Sequence, residues 1–151
     1  MAKFKFQADF QASQKDLIST KIDFLKSLGS DKVNHRDQTL LEHLIGTRDK
    51  LKDMGKPEYL QDAGLFHSVY GTAYFMPTKG LVDDRQVVKD LIGDQAEEIA
   101  WWFCMLESPR TVQIKDNFDG QLREDLMALD IANSDDMGET GVMTWDEAYG
   151  V

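Results

Sequence analysis

The sequence predicts an all-α fold, a compact helical bundle of about six helices. Apolar residues recur at helical spacing through most of the chain, and glycine or proline interrupts that spacing at several points. The alternation typical of a strand occurs only near the N-terminus, in Lys3–Phe6, and at residues 111–114. With 151 residues, of which 42% are hydrophobic, the chain is long enough to form one packed core.

Each predicted helix begins and ends at a recognisable signal. Ser13 is a candidate N-cap for the first helix, and Gly29 ends it. Thr39 and Glu42 have the spacing of a capping box, and Pro57 suits the first turn of the third helix. Residues 111–114 are predicted as a short strand or a loop. The expected helices span residues 13–28, 39–54, 57–70, 83 or 84 to 92, 95–106 and 117–133.

The sequence divides into a helical domain, residues 1–133, and an acidic C-terminal tail, residues 134–151. Asp135 and Asp136 lie near the start of this tail, and we expect both to be solvated, although acidic residues are disfavoured at a helix C-terminus. The chain carries 17 Lys and Arg against 27 Asp and Glu, for a net charge of −10. Since no basic stripe is present to neutralise phosphates, we expect no binding of nucleic acid.

The single cysteine and the hydropathy pattern predict a cytoplasmic protein. Cys104 has no second cysteine to pair with, which fits a reducing compartment, and its apolar neighbours predict a buried structural thiol. No apolar run approaches the roughly 20 residues that span a bilayer, so we expect no membrane association. The N-terminus lacks the apolar region of a signal peptide.

Three polar residues lie inside apolar runs where a core normally holds hydrocarbon: His43, His67 and Asp130. A buried ionisable group without a partner costs several kcal/mol, so such groups are usually hydrogen-bonded, paired or bound to a metal. The two histidines are predicted on successive helices joined at residues 55–57, an arrangement that can bring their rings to the same depth. Two imidazoles and a carboxylate are a common ligand set for Zn, Fe or Mn.

The order of these residues resembles the HD-domain superfamily, an all-α fold with a first His, a His-Asp dipeptide and a late Asp. Glu42-His43 takes the place of the first His, and the segment Leu65–Val69 takes that of the dipeptide. Residues 92–100 and 129–133 are similar to segments of the guanosine-tetraphosphate hydrolase branch. The resemblance, over residues 40–133, implies a divalent metal held by His43, His67 and Asp130.

The chain departs from the family pattern at the position of the second metal ligand. Ser68 replaces the Asp of the dipeptide, and Gly71 and Thr72 replace an acidic pair of the hydrolase branch. A neutral hydroxyl is a poor ligand for a divalent ion, so catalysis by that route is not expected. The His-Ser pair followed by Tyr-Gly-Thr is most similar to a divergent, uncharacterised branch of HD-like proteins.

Several alternatives remain open for the composition of this site. His35 could supply a third imidazole, which would resemble an HD branch that uses iron for oxygenation, or a carboxylate could come from Asp62, Glu97 or Glu98. The histidines could instead form a metal-free cluster, hydrogen-bonded to one another, to Asp130 and to Ser68. Tyr70, Tyr74 and Phe75 could cover the site, and Arg36, Arg48 and Arg85 are candidate anion binders.

Two functional hypotheses follow from the sequence. In the first, this is an HD-like protein with a degenerate or altered site that performs no catalysis and binds a small ligand or a partner. In the second, it is a metal-dependent phosphohydrolase, or an iron oxygenase, acting on a small phosphorylated metabolite. The missing Asp at position 68 and the missing acidic pair favour the first hypothesis.

Overall fold

The computed structural model of this chain describes residues 17–35, 38–71, 84–106 and 109–138. Four sequence predictions lie outside these residues: the N-terminal strand, the cap at Ser13, Arg36 as an anion binder, and the role of Tyr74 and Phe75 in the loop. Most of the acidic tail, from residue 139 onward, lies outside them as well.

The described residues confirm the all-α fold class, with seven helices and one pair of two-residue strands. The strands pair antiparallel, with Asn34 opposite Thr39. The elements in chain order are α1 (17–27), a 3-10 turn (Ser30–Lys32), β1 (Asn34–His35), β2 (Gln38–Thr39), α2 (Leu40–Asp53), α3 (Glu58–Leu65), α4 (Arg85–Ile92), α5 (Asp94–Met105), α6 (Arg110–Asn117) and α7 (Gly120–Met137).

Helix α2 begins where the sequence predicts. The Thr39 hydroxyl accepts a hydrogen bond from the backbone N–H of Glu42, whose carboxylate accepts one from the backbone N–H of Thr39. This reciprocal capping box satisfies two donors that a helix N-terminus leaves unpaired. The start of α2, and with it the rotation of His43 toward the core, is therefore fixed by local sequence.

Helix α2 is central to the bundle and packs against both α3 and α7. Its approach to α3 is close because Gly64 has no side chain: a β-carbon there would lie 2.5 Å from Cδ1 of Leu51. Leucine, phenylalanine and alanine side chains fill the space between the helices, including Leu44, Leu60, Phe66, Phe103 and Leu129.

A buried ion pair joins α1 to α3. The Nζ of Lys21 lies 3.1 and 3.0 Å from the two carboxylate oxygens of Asp62, and each side chain is only 7% exposed. Burial raises the pKa of Asp62, and the hydrogen bond and charge of Lys21 offset that rise only in part. Asp62 is therefore occupied as the partner of a lysine on the neighbouring helix.

Three element predictions need correction. Helix α3 ends at Leu65, five residues before the predicted end. Nδ1 of His67 donates to the Gly64 carbonyl, 2.6 Å away, which a continued helix would pair with the N–H of Ser68. Residues 111–114 belong to helix α6, with Thr111 and Ile114 buried at helical spacing. Helix α7 continues four residues past Asn133, to Met137.

None of the helices in the described ranges combines the length with the apolar character that a bilayer-spanning segment requires.

Candidate functional site

His43 lies at the contact between α2 and α7, and both of its ring nitrogens are hydrogen-bonded. Nδ1 is 2.7 Å from Oδ2 of Asp136, and Nε2 is 2.8 Å from Oδ1 of Asn133. The imidazole is 1% exposed, so these two α7 side chains take the place of water around it. Each ring nitrogen of His43 therefore faces an oxygen atom of an α7 side chain.

Asp136 packs against both β2 and α2. Its Oδ2 also accepts a hydrogen bond from Nε2 of Gln38, at 2.9 Å. Its carboxylate passes directly over Gly46, where a β-carbon would come within 2.0 Å of Oδ1. The Asp136 side chain is 12% exposed, so the prediction of a solvated residue at this position is wrong.

The partners of His43 follow the helical repeat of α7. Leu126, Leu129, Asn133 and Asp136 recur at intervals of three or four residues, which places all four on one face of the helix. The sequence prediction ended this helix at Asn133 and therefore left Asp136 out. Continuing the repeat by one turn is the signal that would have found it.

His67 follows the end of α3, in the turn that precedes Tyr70, rather than on the helix as predicted. Its ring centroid is 5.1 Å from that of His43, with the two rings nearly perpendicular, and it makes a similar edge contact with Phe103 at 5.4 Å. The structure thus brings the two predicted histidines together. Ser68, the residue that replaces the expected Asp, is buried beside it at 3% exposure.

Asp130 is buried on α7, as its apolar neighbours predict. Its Oδ2 accepts a hydrogen bond of 2.7 Å from the hydroxyl of Thr111 on α6. The backbone of His35 lies in β1, and its side chain lies outside the described part of the structure. A ligand set of His35, His43, His67 and Asp130 stays a prediction. Within the described ranges, no group of three or more His, Cys, Asp or Glu side chains is placed to hold a metal.

Cys104 is a structural thiol next to this centre. Its Sγ lies 2.9 Å from the backbone carbonyl of His67, to which it donates. Burial raises the pKa of Cys104 to about 12, so at neutral pH the sulfur stays protonated. A protonated thiol is not a nucleophile, in agreement with the structural role expected from its neighbours.

A second polar cluster, between α4 and α5, is centred on Glu97. This carboxylate is fully buried, accepts two hydrogen bonds from Arg85, at 2.5 and 2.8 Å, and accepts a third from the Tyr70 hydroxyl at 2.8 Å. Burial alone would raise the pKa of Glu97, but the hydrogen bonds from Arg85 and Tyr70 outweigh it and hold the pKa below its usual value. The guanidinium also lies 4.5 Å from the ring centroid of Trp101.

The Glu97 cluster changes the sequence interpretation of three residues. Tyr70 is buried and donates a hydrogen bond to Glu97, and Arg85 forms a salt bridge with the same carboxylate. Glu97 therefore has two partners within the protein. Burial and the neighbouring carboxylate also raise the pKa of Tyr70. Sequence reasoning treated these residues separately because nothing local links Tyr70 to a carboxylate on another helix.

Comparison with known protein families places most of this architecture within one domain family. The model of a family described as "Domain of unknown function (DUF6817)" matches residues 24–108, more than half of the chain. The chain belongs to this family. No curated protein and no solved structure matches the chain.

The matched span of the DUF6817 family contains both histidines of the centre and the Glu97 cluster. It ends before α6 and α7, which carry Thr111, Asp130, Asn133 and Asp136. The His43 centre therefore combines a histidine from inside the DUF6817 match with partners supplied from outside it.

Proposed function

We propose that this protein is a non-catalytic, HD-like binding protein whose histidine centre joins helices instead of performing chemistry. The observation that carries the proposal is the double hydrogen bonding of His43 by Asn133 and Asp136. A metal ligand needs a nitrogen lone pair directed at the ion. In this arrangement both nitrogens of His43 are directed at protein oxygens instead.

Two carboxylates that the sequence offers as alternative ligands support the same proposal. Asp62 is paired with Lys21, and Glu97 is paired with Arg85 and Tyr70. Each of these carboxylates already has a cationic partner, so neither replaces the anionic ligand that Ser68 has lost. A site with a neutral hydroxyl in that position is a weak binder of divalent ions.

The cellular setting belongs to the same proposal. A single, partly buried cysteine kept as a thiol is suited to a reducing compartment, so we place the protein in the cytoplasm. The net charge of −10 disfavours nucleic acid as a partner, because phosphates would be repelled. The partner is then a small molecule or a protein.

One observation favours a second candidate, a metal-dependent phosphohydrolase or iron oxygenase acting on a small phosphorylated metabolite. The two histidine rings are 5.1 Å apart, and Nδ1 of His67 is held by the Gly64 carbonyl. A backbone carbonyl on one ring nitrogen is the usual way in which proteins orient a metal-ligating histidine. In this case His35, His43, His67 and Asp130 would hold the ion, which would supply an activated water or oxygen.

Metal analysis of the purified protein distinguishes the two candidates. Wild type, His67→Ala and His67→Gln are each incubated with Zn, Fe(II) or Mn(II), desalted, and measured for bound metal and for phosphatase turnover. The proposal expects no stoichiometric metal and no turnover that scales with added metal. The opposite result is one equivalent of metal in wild type that both variants lose while their circular dichroism is unchanged. That result would contradict the binding-protein proposal and support the phosphohydrolase or oxygenase.

A further inference from the structure

A cleft between α4 and α5 has the size of a small-molecule site. Its volume is about 300 Å³, and it shares no lining residue with the His43 centre. The residues that α5 contributes follow the helical repeat, so they form one face of that helix. The lining consists of Arg85 and Lys89 from α4 and of Asp94, Glu97, Glu98, Trp101 and Trp102 from α5.

One wall of the cleft already holds an organic cation, the guanidinium of Arg85. The carbon Cζ of Arg85 lies 4.5 Å from the ring centroid of Trp101, and Nη2 donates to Oε2 of Glu97 at 2.8 Å. A tryptophan ring face beside a carboxylate is a favourable environment for a cation, because the negative face of the ring and the carboxylate act together. The contact of Arg85 with Trp101 and Glu97 thus shows how a guanidinium is bound on this surface.

The other lining residues of the cleft also combine a tryptophan ring with carboxylates, but no guanidinium of the described residues is paired with them in the cleft. Arg85 and Glu97 neutralise each other, which leaves Lys89 against the two exposed carboxylates of Asp94 and Glu98. The lining as a whole carries three carboxylates and two cations, for a net charge of −1. The electrostatic potential of the cleft therefore favours a positively charged occupant.

Trp102 supplies the second aromatic surface. Its ring makes edge contacts with Trp101, at 4.8 Å between centroids, and with Phe118, at 5.2 Å, and it is half-buried. A ring held by two aromatic neighbours is preorganised, so a ligand does not have to order it on binding. The cleft therefore offers a fixed aromatic surface next to two exposed carboxylates, whose charge Lys89 offsets only in part.

We propose that the α4–α5 cleft binds a small organic cation of the guanidinium or alkylammonium class. Trp102 forms the aromatic contact, and Glu98 and Asp94 provide the opposite charge. The inference rests on the proposed function in one respect, that a binding protein needs a ligand site. It gives that ligand a chemical class and a location outside the His43 centre.

The test is a titration of the full chain by calorimetry and by two-dimensional ¹H–¹⁵N NMR. The probes are agmatine, which carries a guanidinium and an ammonium group, and choline, with inorganic phosphate as the anionic comparison. We expect saturable binding of at least one cation, with shifts of the amide signals of α4 and α5. Phosphate is expected to produce neither.

Two kinds of variant assign the binding to the cleft. The double substitution Asp94→Asn, Glu98→Gln is expected to weaken cation binding by about fivefold, the scale of an exposed charge pair. Glu124→Gln, which removes one exposed carboxylate on α7, is the control for general attraction to an acidic surface and is expected to leave affinity unchanged. Trp102→Leu keeps an apolar side chain but removes the ring, and is expected to weaken binding by about tenfold.

The proposal is overturned if neither cation binds saturably, if phosphate binds more tightly than the cations, or if Glu124→Gln weakens binding as much as the double substitution. The last result would indicate nonspecific attraction to an acidic protein. The metal analysis tests the proposed function separately. Metal-dependent turnover together with cation binding would contradict the proposed function but support the cation site in the cleft. If neither is observed, the proposed function stands and the cation site is contradicted.

Discussion

The carboxylate of Asp136 occupies the space that a β-carbon on Gly46 would need, since Oδ1 would be only 2.0 Å from that carbon. Gly46 lies in the middle of α2, where any other residue except proline would normally favour the helix more. The absence of a side chain at this position lets α7 place Asp136 against Nδ1 of His43, at 2.7 Å. The position of Asp136 therefore depends on glycine at position 46.

Gly46→Ala is therefore expected to have opposite effects in two backgrounds. In wild type, the clash displaces Asp136 and lowers the free energy of unfolding by about 1–3 kcal/mol, which outweighs the better helix propensity of alanine. In Asp136→Ala, the clashing atoms are gone, and the same substitution should stabilise the protein by up to about 1 kcal/mol. Urea denaturation of the four proteins measures both values.

The reversal of sign is the decisive feature of this cycle. If Gly46→Ala stabilises the wild-type protein as much as it stabilises Asp136→Ala, the two residues are not coupled. Asp136 would then not lie where the structure places it.

The contribution of the Asp136 carboxylate to stability can be compared with that of the adjacent Asp135. Asp136→Asn is expected to lower the free energy of unfolding by about 1–2 kcal/mol, because His43 and Gln38 lose a charged acceptor. Asp135→Asn removes the same charge from the same helix end, but Asp135 is 67% exposed and its nearest cation, Lys50, is 3.6 Å away. Its effect should stay below about 0.5 kcal/mol. Equal values for the two variants in urea denaturation would contradict a structural role for Asp136.

The buried pair of Lys21 and Asp62 predicts a pH-dependent loss of stability. Lys21→Met leaves the Asp62 carboxylate buried without its cation, and is expected to cost about 3–5 kcal/mol at pH 7. Burial already raises the pKa of Asp62 in the folded protein, and loss of Lys21 raises it further. The folded variant then binds a proton at a pH where the unfolded chain does not.

The sign follows from this difference in proton binding. As the pH falls through the raised pKa of Asp62, protonation removes the buried charge, and the deficit of Lys21→Met relative to wild type should shrink; it should grow again as the pH rises. Denaturation at pH 7 and at about pH 5 measures the change. Lys50→Met, which breaks an exposed pair, is the control and should cost less than about 1 kcal/mol at both values. A deficit that does not vary with pH would argue against a buried Asp62 carboxylate.

Cys104 gives a labelling prediction that needs no variant, because it is the one cysteine of the chain. Burial raises its pKa to about 12, so very little thiolate is present at pH 8, and we expect slow reaction with a disulfide reagent in the native protein. The rate should increase strongly in denaturing urea, where the thiol regains an ordinary pKa. Equal rates in the two conditions would show that the thiol is accessible in the folded state.

Much of the fold could be predicted because its signals are local. The Thr39–Glu42 capping box and the helical spacing of apolar residues each depend on neighbours within one or two turns. The errors arose where a side chain from a few residues away competed with the backbone, as His67 does with the end of α3. They also arose where a short segment fitted both the strand and the helix periodicity, as in residues 111–114, which belong to α6.

The sequence by itself determined that His43, His67 and Asp130 would be buried, because each lies within an apolar run that has to enter the core. Only the tertiary structure decided what surrounds His43. Asn133 and Asp136 lie 90 and 93 residues away along the chain, and they reach His43 because α7 packs on α2 where Gly46 leaves room for Asp136. Helical periodicity fixes which face a residue occupies, but the partner across that face is set by how two helices pack.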